Sequence, residues 1–229
     1  MLLETITNYL NIQLMFTNNN IIIFGVNDLA ELAHFYFMNE LRFGQGDPFP
    51  VAFTVNKEYI TNPTFQNLPV IPFEKLEEKY PPKHYKLFAP IADNNLREKI
   101  YLEGIKKGYT FISYVSNKCT NFAKSIGKNC FILEDNTLQP FTTIGNNVVL
   151  WSGNHIGHHS TIEDNVFFTS HVVMSGHCHI KKGSFVGVNA CIRDGVTIGE
   201  NCIIGMGSVV TKNTDDNSTY ISSPAKKKE

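Results

Sequence analysis

An unbroken six-residue repeat in the second half of the chain constrains the fold more than any other feature of this sequence. From Ile126 to Val210 every sixth residue is apolar, fifteen positions in succession without an exception. Small or β-branched residues follow four positions later in most hexads, and glycine often comes directly after the apolar residue. Since six is a multiple of the two-residue period of a strand, each hexad can form a short strand with its apolar side chain inward, followed by a corner. Three hexads close one triangular coil, so the repeat predicts a parallel β-helix of about five coils.

The first half of the chain has a different pattern. Residues 21–24 form an apolar run that ends at Gly25, and residues 28–40 carry apolar side chains at helical spacing. The alternation continues, with strands predicted at 51–55, 85–91 and 110–115 and helices at 72–78 and 95–107. Alternating strands and helices predict a small parallel sheet of the Rossmann-like α/β class. We therefore predict three segments: a leader without an assigned role at 1–20, an α/β domain at 21–115, and the β-helix with a carboxy-terminal tail at 116–229.

Charge, hydropathy and cysteine content exclude several classes of protein. The net charge of -1 over 229 residues gives no indication of the basic surface that nucleic acid or anionic lipid would require. The longest apolar runs, such as residues 21–26, fall far short of the roughly 18 to 20 residues that cross a bilayer. The five cysteines are odd in number and lack C-x-x-C spacing, and residues 1–20 lack the pattern of a signal peptide. These observations predict a soluble protein of the reducing cytoplasm, without nucleic acid and without membrane insertion.

Histidines are concentrated in the middle of the repeat, where six of the eight lie between His155 and His179. Imidazole is the side chain whose ordinary pKa suits proton transfer near neutral pH, so this cluster is a candidate site for acid-base chemistry. Within it, His158 comes two residues after the inward Ile156, where a side chain can leave the prism at the end of a strand. His158 is therefore the candidate general base, and its neighbours His155 and His159 are the other candidates for the catalytic site.

Three further segments carry a family resemblance: IGHHSTI at 156–162, GMGSVV at 205–210 and SPAK at 223–226. Together with the hexads, they resemble the left-handed parallel β-helix acyltransferases. The order of a small α/β domain and then the β-helix is, more narrowly, similar to bacterial N-acetyltransferases of nucleotide-linked amino sugars and to the sugar O-acyltransferases related to them. The resemblance implies a homotrimer with active sites between adjacent β-helices, acetyl-CoA as acyl donor, no metal, and an amino sugar destined for surface polysaccharide.

Site residues follow from that resemblance by position. His158 matches the catalytic base of the family, and His159 stands where such proteins commonly have Glu or Asp to orient the imidazole. Glu163, Asp164 and His155 are candidate substitutes for that missing carboxylate. The contacts to acetyl-CoA would fall on six residues, the first of which also offers a backbone N–H to the oxyanion: Gly176, Val188, Gly205, Gly207, Pro224 and Ala225.

Two loops of the α/β domain are candidate contacts for the nucleotide. Gly25 and Asn27 lie in the turn after the first strand, where backbone amides at a helix N-terminus favour a diphosphate. Ala92 and Asn94 follow another strand of the same sheet, and ligand-binding loops belong at such carboxyl ends. The resemblance assigns the nucleotide to this domain, so these four residues are the predicted substrate contacts.

Other functions on the same fold stay open. Acetylation of a sugar hydroxyl would use the same donor and a stronger base. A zinc hydratase of the γ-carbonic anhydrase kind would use clustered histidines such as His159, His171 and His177, the first and last of which are 18 residues apart and should stack on one edge. A catalytically silent trimeric scaffold is a third class.

Large side chains at positions that should not all point inward support the predicted trimer. These are Phe131, Phe141, Trp151 and Phe167. We expect them in an interface between copies of the chain rather than in solvent, because large exposed apolar patches mark interaction sites.

Overall fold

The computed structural model of the protein describes residues 20–40 and 49–221, which divide into two compact units. The α/β unit contains the described residues of 20–92 together with 99–112. The β-helix unit contains 93–98 together with 113–221. The two predicted classes of structure, a small α/β sheet and a left-handed parallel β-helix, are confirmed.

The α/β unit is a six-stranded sheet with helices between its strands. Its strands lie in the order β3-β4-β2-β1-β5-β6, and every neighbouring pair is parallel except β3 and β4. The elements, in chain order, are β1 (Asn20–Phe24), α1 (Asp28–Glu40), β2 (Phe49–Val55), β3 (Thr64–Phe65), β4 (Leu68–Pro72), α2 (Leu76–Lys79), β5 (Tyr85–Phe88), α3 (Asn94–Lys106) and β6 (Thr110–Phe111). Short 3₁₀ turns at Lys57–Tyr59 and Phe73–Lys75 complete it.

The centre of this sheet is also the point where its strand order reverses. Strand β1 is fully buried and pairs with β2 on one side and with β5 on the other, both in parallel. The loops that follow β1 and β5 therefore leave the same edge of the sheet side by side. In open α/β sheets this switch point is where ligands bind.

Two features of the α/β unit differ from the sequence-based expectation. The hairpin β3–β4 is not predicted, although Gln66 and Asn67 between its strands both have positive φ, as a two-residue hairpin turn requires. The segment 110–115, predicted as one strand, is two. Its first part, β6, pairs with β5, whereas Tyr114 pairs with Phe131 in the β-helix. Because the strand is interrupted at residues 112–113, the segment 110–115 contributes one short strand to each of two different sheets.

The β-helix has three faces of parallel two-residue strands. Face 1 contains β7 (Tyr114–Val115), β10 (Phe131–Ile132), β13 (Val149–Leu150), β16 (Phe167–Phe168), β19 (Phe185–Val186), β22 (Ile203–Ile204) and β24 (Thr219–Tyr220). Face 2 contains β8 (Thr120–Asn121), β11 (Thr137–Leu138), β14 (His155–Ile156), β17 (Val173–Met174), β20 (Cys191–Ile192) and β23 (Val209–Val210). Face 3 contains β9 (Ser125–Ile126), β12 (Thr143–Ile144), β15 (Thr161–Ile162), β18 (His179–Ile180) and β21 (Thr197–Ile198).

Strand pairing follows the predicted 18-residue coil. Phe131 pairs with Val149 and Val149 with Phe167, and the other faces repeat the same offset. The apolar hexad positions point inward as predicted: apart from Ile126, which is partly buried in the first coil, each is at most 7% exposed. Strands before the first hexad and after the last lengthen the stack slightly beyond the five coils expected. The core is thus a single apolar column, held by ladders of backbone hydrogen bonds between coils.

The inward corner positions hold small side chains, among them three cysteines. Cys130, Cys178 and Cys202 are buried, and all five cysteines of the chain are free thiols. Burial raises the pKa of Cys130 to about 11, so this thiol stays protonated and behaves as a small hydrophobic side chain.

Two of the four aromatic residues predicted for a trimer interface are buried inside the chain instead. Phe131 is 1% exposed and packs edge-on against Tyr114, with ring centroids 5.5 Å apart. Phe167 is 5% exposed and stacks on Phe185. The prediction is wrong for these two positions because other aromatic side chains of face 1 pack against them within the same chain. Phe141, at another place in the coil, is 62% exposed.

A buried arginine lies in the first turn of α3, which belongs to the β-helix unit. Arg97 is fully buried and donates from Nε to the carbonyl oxygen of Asn147 and from Nη2 to that of Asn165, each at 2.9 Å. Its guanidinium lies 5.7 Å from the ring centroid of Phe167. Burial lowers the pKa of Arg97 to about 10, which leaves it charged at neutral pH. Asn147 and Asn165 belong to a ladder of amides stacked coil on coil, so the arginine joins successive coils as well as holding the helix.

We expect Arg97→Leu to destabilise the protein measurably. The substitution leaves two buried carbonyl oxygens without their donor, at roughly 1 to 3 kcal/mol each. In a chain of this size such a loss corresponds to a melting temperature lower by at least about 5 °C, measured by calorimetry. Lys181→Leu is the matched control, because Lys181 pairs with Asp216 on the surface at 3.3 Å and such pairs contribute little. Equal melting temperatures for the two variants would refute the anchoring role.

Candidate functional site

The predicted catalytic residue lies at a corner where three histidines meet. The chain turns from face 2 to face 3 at residues 139–142, 157–160, 175–178 and 193–196, and we call this edge of the prism the histidine corner. His158, His159 and His177 lie there and are all exposed. His158 and His159 belong to one coil and His177 to the next, so the 18-residue repeat brings the three side chains together.

The ring of His158 rests on the backbone of the next coil. A Cβ atom added to Gly176 would lie 2.6 Å from Cε1 of His158 and 2.9 Å from Nε2, closer than atoms can approach. The backbone N–H of His158 donates to Oε1 of Gln139 at 2.9 Å, which fixes the start of the corner. Gly176 therefore provides the flat surface on which this imidazole lies, in addition to any role of its backbone N–H.

The side chain of His159 lies at hydrogen-bond distance from the ring of His158. Their Nδ1 atoms are 3.1 Å apart, a hydrogen-bond distance at which one nitrogen donates and the other accepts. Two of the predicted substitutes for the missing carboxylate are engaged at a different edge of the prism. Glu163 pairs with His179 at 2.6 Å, and Asp164 accepts a hydrogen bond from the backbone N–H of Asn146. The third, His155, lies in strand β14 before the corner begins. Among His159, Glu163, Asp164 and His155, His159 is the residue within hydrogen-bond distance of the His158 ring.

Aromatic rings stack along the histidine corner at 18-residue intervals. Phe141 lies 4.6 Å from His159 between ring centroids, and His159 lies 5.0 Å from His177 with the two planes 13° apart. The expected stacking of His159 on His177 is confirmed. His171, the third ligand predicted for a zinc hydratase, lies at the corner between faces 1 and 2, where its ring covers Gly153. That predicted ligand set is therefore not assembled.

The residues predicted to contact acetyl-CoA flank face 2. Val188, Gly205 and Gly207 lie at the corner between faces 1 and 2, and Gly176 lies at the histidine corner across the face. Between the two edges the outward side chains of Val173, Cys191 and Val209 are exposed. At the carboxy-terminal end of this face, residues 207–214 with Tyr220 and Ile221 line a cleft of about 690 Å³. Pro224 and Ala225 lie outside the described residues.

In the α/β unit, the loop after β1 has the geometry of a helix N-terminus. Gly25 has a φ of +115°, which favours glycine, and its N–H donates to the carbonyl of Thr54 at 2.7 Å. The Asn27 side chain accepts a hydrogen bond from the N–H of Ala30 and caps α1. Ala92, in the loop that follows β5, is exposed. These three predicted contacts follow neighbouring strands of one sheet.

Asn94, the fourth predicted nucleotide contact, is engaged within the β-helix unit. Its Nδ2 donates to the carbonyl of Gly183 at 2.7 Å, and its Oδ1 accepts from Nη2 of Arg97 at 2.8 Å. The contact of Asn94 with a nucleotide stays a prediction. The sequence does not predict the roles of Arg97 and Gln139, because both contact the backbone of residues distant in the chain.

Among the helices of residues 20–40 and 49–221, none combines the length and the hydropathy needed to cross a bilayer.

Comparison with known proteins identifies the repeat and the fold. The bacterial transferase hexapeptide (six repeats) family matches residues 141–176 and 177–212. The bifunctional protein GlmU of Clostridium kluyveri is 31% identical over 131 residues, or 57% of this chain, and the match spans only 28% of that relative.

Solved structures extend the similarity to nearly the whole chain. WeeI from Acinetobacter baumannii AYE superposes with a TM-score of 0.76 at 23% identity, covering 90% of this chain and 98% of that one. A mutant of perosamine N-acetyltransferase from Caulobacter crescentus, solved with CoA and GDP-perosamine, superposes with a TM-score of 0.75 at 21% identity, covering 92% and 97%. Residues 141–212 are therefore bacterial transferase hexapeptide repeats, and the chain has the fold of the left-handed β-helix acyltransferases.

Proposed function

We propose that the protein transfers the acetyl group of acetyl-CoA to the amino group of a nucleotide-linked amino sugar, with His158 as general base. The observation that carries this proposal is the exposed imidazole of His158, lying on Gly176 and in contact with His159 at a corner of the β-helix. A base must be reachable by its substrate and held in one orientation; the exposure of His158 and its contacts with Gly176 and His159 support both.

The reaction follows from these groups. The sugar nitrogen attacks the thioester carbonyl, and His158 accepts the proton that this nitrogen loses as the N–C bond forms. The resulting oxyanion needs a hydrogen-bond donor, and the backbone N–H of Gly176 is the proposed one. When the C–S bond breaks, the imidazolium returns the proton to the CoA thiolate. No covalent intermediate on the protein is required.

The coenzyme would lie along face 2. The exposed apolar stripe of face 2, formed by Val173, Cys191 and Val209, would contact the pantetheine. The pantetheine would run from the predicted contacts at the corner between faces 1 and 2 toward Gly176. Those contacts are Val188, Gly205 and Gly207. The nucleotide would bind in the α/β unit at Gly25, Asn27 and Ala92. Two solved structures of perosamine N-acetyltransferase, which has a similar fold, contain both CoA and GDP-perosamine. These ligands belong to the classes of donor and acceptor proposed here. The surface polysaccharide predicted as destination and the cytoplasmic location belong to the same proposal.

Mass spectrometry tests the proposed reaction directly. A panel of nucleotide-linked amino sugars is incubated with the protein and acetyl-CoA, and fragmentation of any acetylated product shows whether nitrogen or oxygen carries the new group. An N-acetylated product supports the proposal, and an O-acetylated one selects the alternative acceptor. If no acetylated product forms across the panel and calorimetry detects no CoA binding, the result would favour a catalytically silent scaffold.

We also propose that the protein is a homotrimer. Exposed apolar side chains of the β-helix supply the contact surface: Phe141, Ile203 and Met206 are between 48% and 76% exposed in the single chain. Large apolar side chains exposed to this extent are expected to be covered by other copies of the chain. Light scattering should give three times the mass of the chain at micromolar concentration. A monomer mass would contradict the trimer and any site shared between subunits.

A further inference from the structure

Three imidazole rings converge at the histidine corner, more than a single proton transfer uses. One nitrogen from each of His158, His159 and His177 can be chosen so that all three atoms lie within 4.8 Å of one another. The ring of His158 stands at 86° to both others, with centroids 5.2 and 5.1 Å away, so it closes one side of the space beside the parallel pair. The arrangement brings three imidazole nitrogen atoms close to one another, as the ligands of a single ion would be.

The distances suit a tetrahedral transition-metal ion. Zinc binds imidazole nitrogen at about 2.0 to 2.1 Å, so two nitrogens on one tetrahedral ion are about 3.3 to 3.4 Å apart. The Nδ1 atoms of His158 and His159 are already 3.1 Å apart. The third nitrogen needs a movement of little more than about 1 Å, which a rotation of an exposed side chain provides. A fourth position would remain open to water.

We propose that His158, His159 and His177 form a binding site for a divalent transition-metal ion, with Zn²⁺ as the best fit, and that its occupation switches off the transferase. The inhibition rests on the proposed function; the binding does not. A neutral imidazole has one nitrogen with a free lone pair. If the ion takes Nδ1 of His158, the hydrogen is on Nε2, and neither nitrogen can accept a proton from the substrate. The ion would thus act as a reversible inhibitor rather than as a cofactor.

Variants with asparagine provide matched tests of binding. His159, His177 and His171 all have positive φ, and asparagine occupies equivalent corner positions such as Asn147 and Asn165 with the same backbone. His177→Asn should remove one ligand without straining the chain. His171→Asn makes the same change at the corner between faces 1 and 2, away from the three histidines, and Cys191→Ser controls for binding to the exposed thiol.

Equilibrium dialysis of the metal-free full chain against ZnCl₂, followed by metal analysis, measures the site. We expect one ion per chain in the wild type, in His171→Asn and in Cys191→Ser, and affinity weaker by at least about tenfold in His177→Asn. CoCl₂ should give the visible absorption of a tetrahedral ion in the same three proteins. Binding that is unchanged by His177→Asn, or no stoichiometric binding in the wild type, would overturn the metal site.

The inhibition is tested separately, with each protein compared with its own metal-free activity. Zinc should suppress acetyl transfer by the wild type, a chelator should restore it, and the zinc concentration needed should rise at least about tenfold for His177→Asn. Zinc bound by dialysis without loss of activity would overturn the switch and leave the site. If no acetyl transfer is found at all, the dialysis result still decides the metal site, and the failure belongs to the proposed function alone.

Discussion

Replacing His158 by alanine should lower kcat for acetyl transfer by about 10²- to 10⁴-fold, the usual contribution of a positioned general base. The KM for acetyl-CoA should change by no more than a few-fold, because the lost interaction is with the reacting nitrogen rather than with the coenzyme. The ring of His158 is exposed and packs on the backbone at Gly176, so its removal leaves no cavity in the core. Steady-state kinetics with the acceptor identified by mass spectrometry measures both constants.

Two neighbouring histidines serve as controls for this assignment. His155→Ala removes an imidazole from strand β14, just before the corner, and should have a small effect on kcat. His159→Asn removes the ring that contacts Nδ1 of His158 and should give an intermediate loss. If His158→Ala retained more than half of the wild-type kcat while His155→Ala or His159→Asn lost a hundredfold, the base would be a different residue.

Gly176→Ala should cost about 10²-fold in kcat although it adds only one methyl group. The new Cβ would lie 2.6 Å from the ring of His158, whereas ordinary contact begins at 3.4 Å, so the imidazole has to retreat by about 0.8 Å. Misplacement of a catalytic group by about 1 Å can produce a loss of that size. Alanine keeps the backbone N–H, so the loss would arise from the displaced base and not from a missing oxyanion donor.

Gly195→Ala is the control for a methyl group at this edge of the prism. A Cβ at Gly195 meets nothing within 4 Å, although its φ of +72° makes alanine the harsher change for the backbone. We expect Gly195→Ala to lower the melting temperature slightly and to keep most of the activity. Full activity in Gly176→Ala, or an equal loss in both variants, would show that His158 is not held by contact with Gly176.

The β-helix could be predicted from the sequence because its geometry is periodic. The inward position of residues such as Ile156 and Phe168 depends only on their place in the hexad, and both are fully buried. The place of a residue within its hexad is not sufficient to predict which side chains of the histidine cluster meet. His159 and His171 have the same place in a hexad, but twelve residues separate them, so they lie at different corners. Only an offset of 18 stacks two side chains, as it does for His159 and His177.

Contacts that ignore the period could not be predicted. Arg97 reaches the carbonyl oxygens of Asn147 and Asn165, which any residue type would present, so no side-chain pattern marks the partners. Phe131 has the composition of an interface residue, and only its packing on Tyr114 shows that it is covered within the chain. The predicted CoA contacts at 224–225 lie outside the described residues and stay predictions.

The three histidines His158, His159 and His177 come from two neighbouring coils, with further coils stacked on both sides. In solenoid folds each repeat contacts only its neighbours, and local opening begins at the ends of the stack. Fraying at either end of the stack should therefore not reach these three histidines. Their backbone amides should be among the slowest in the chain to exchange with deuterium. Substitutions in the terminal coils should therefore leave the three histidines in place. One residue inserted between His159 and His177, in contrast, would break the 18-residue offset and separate the two rings.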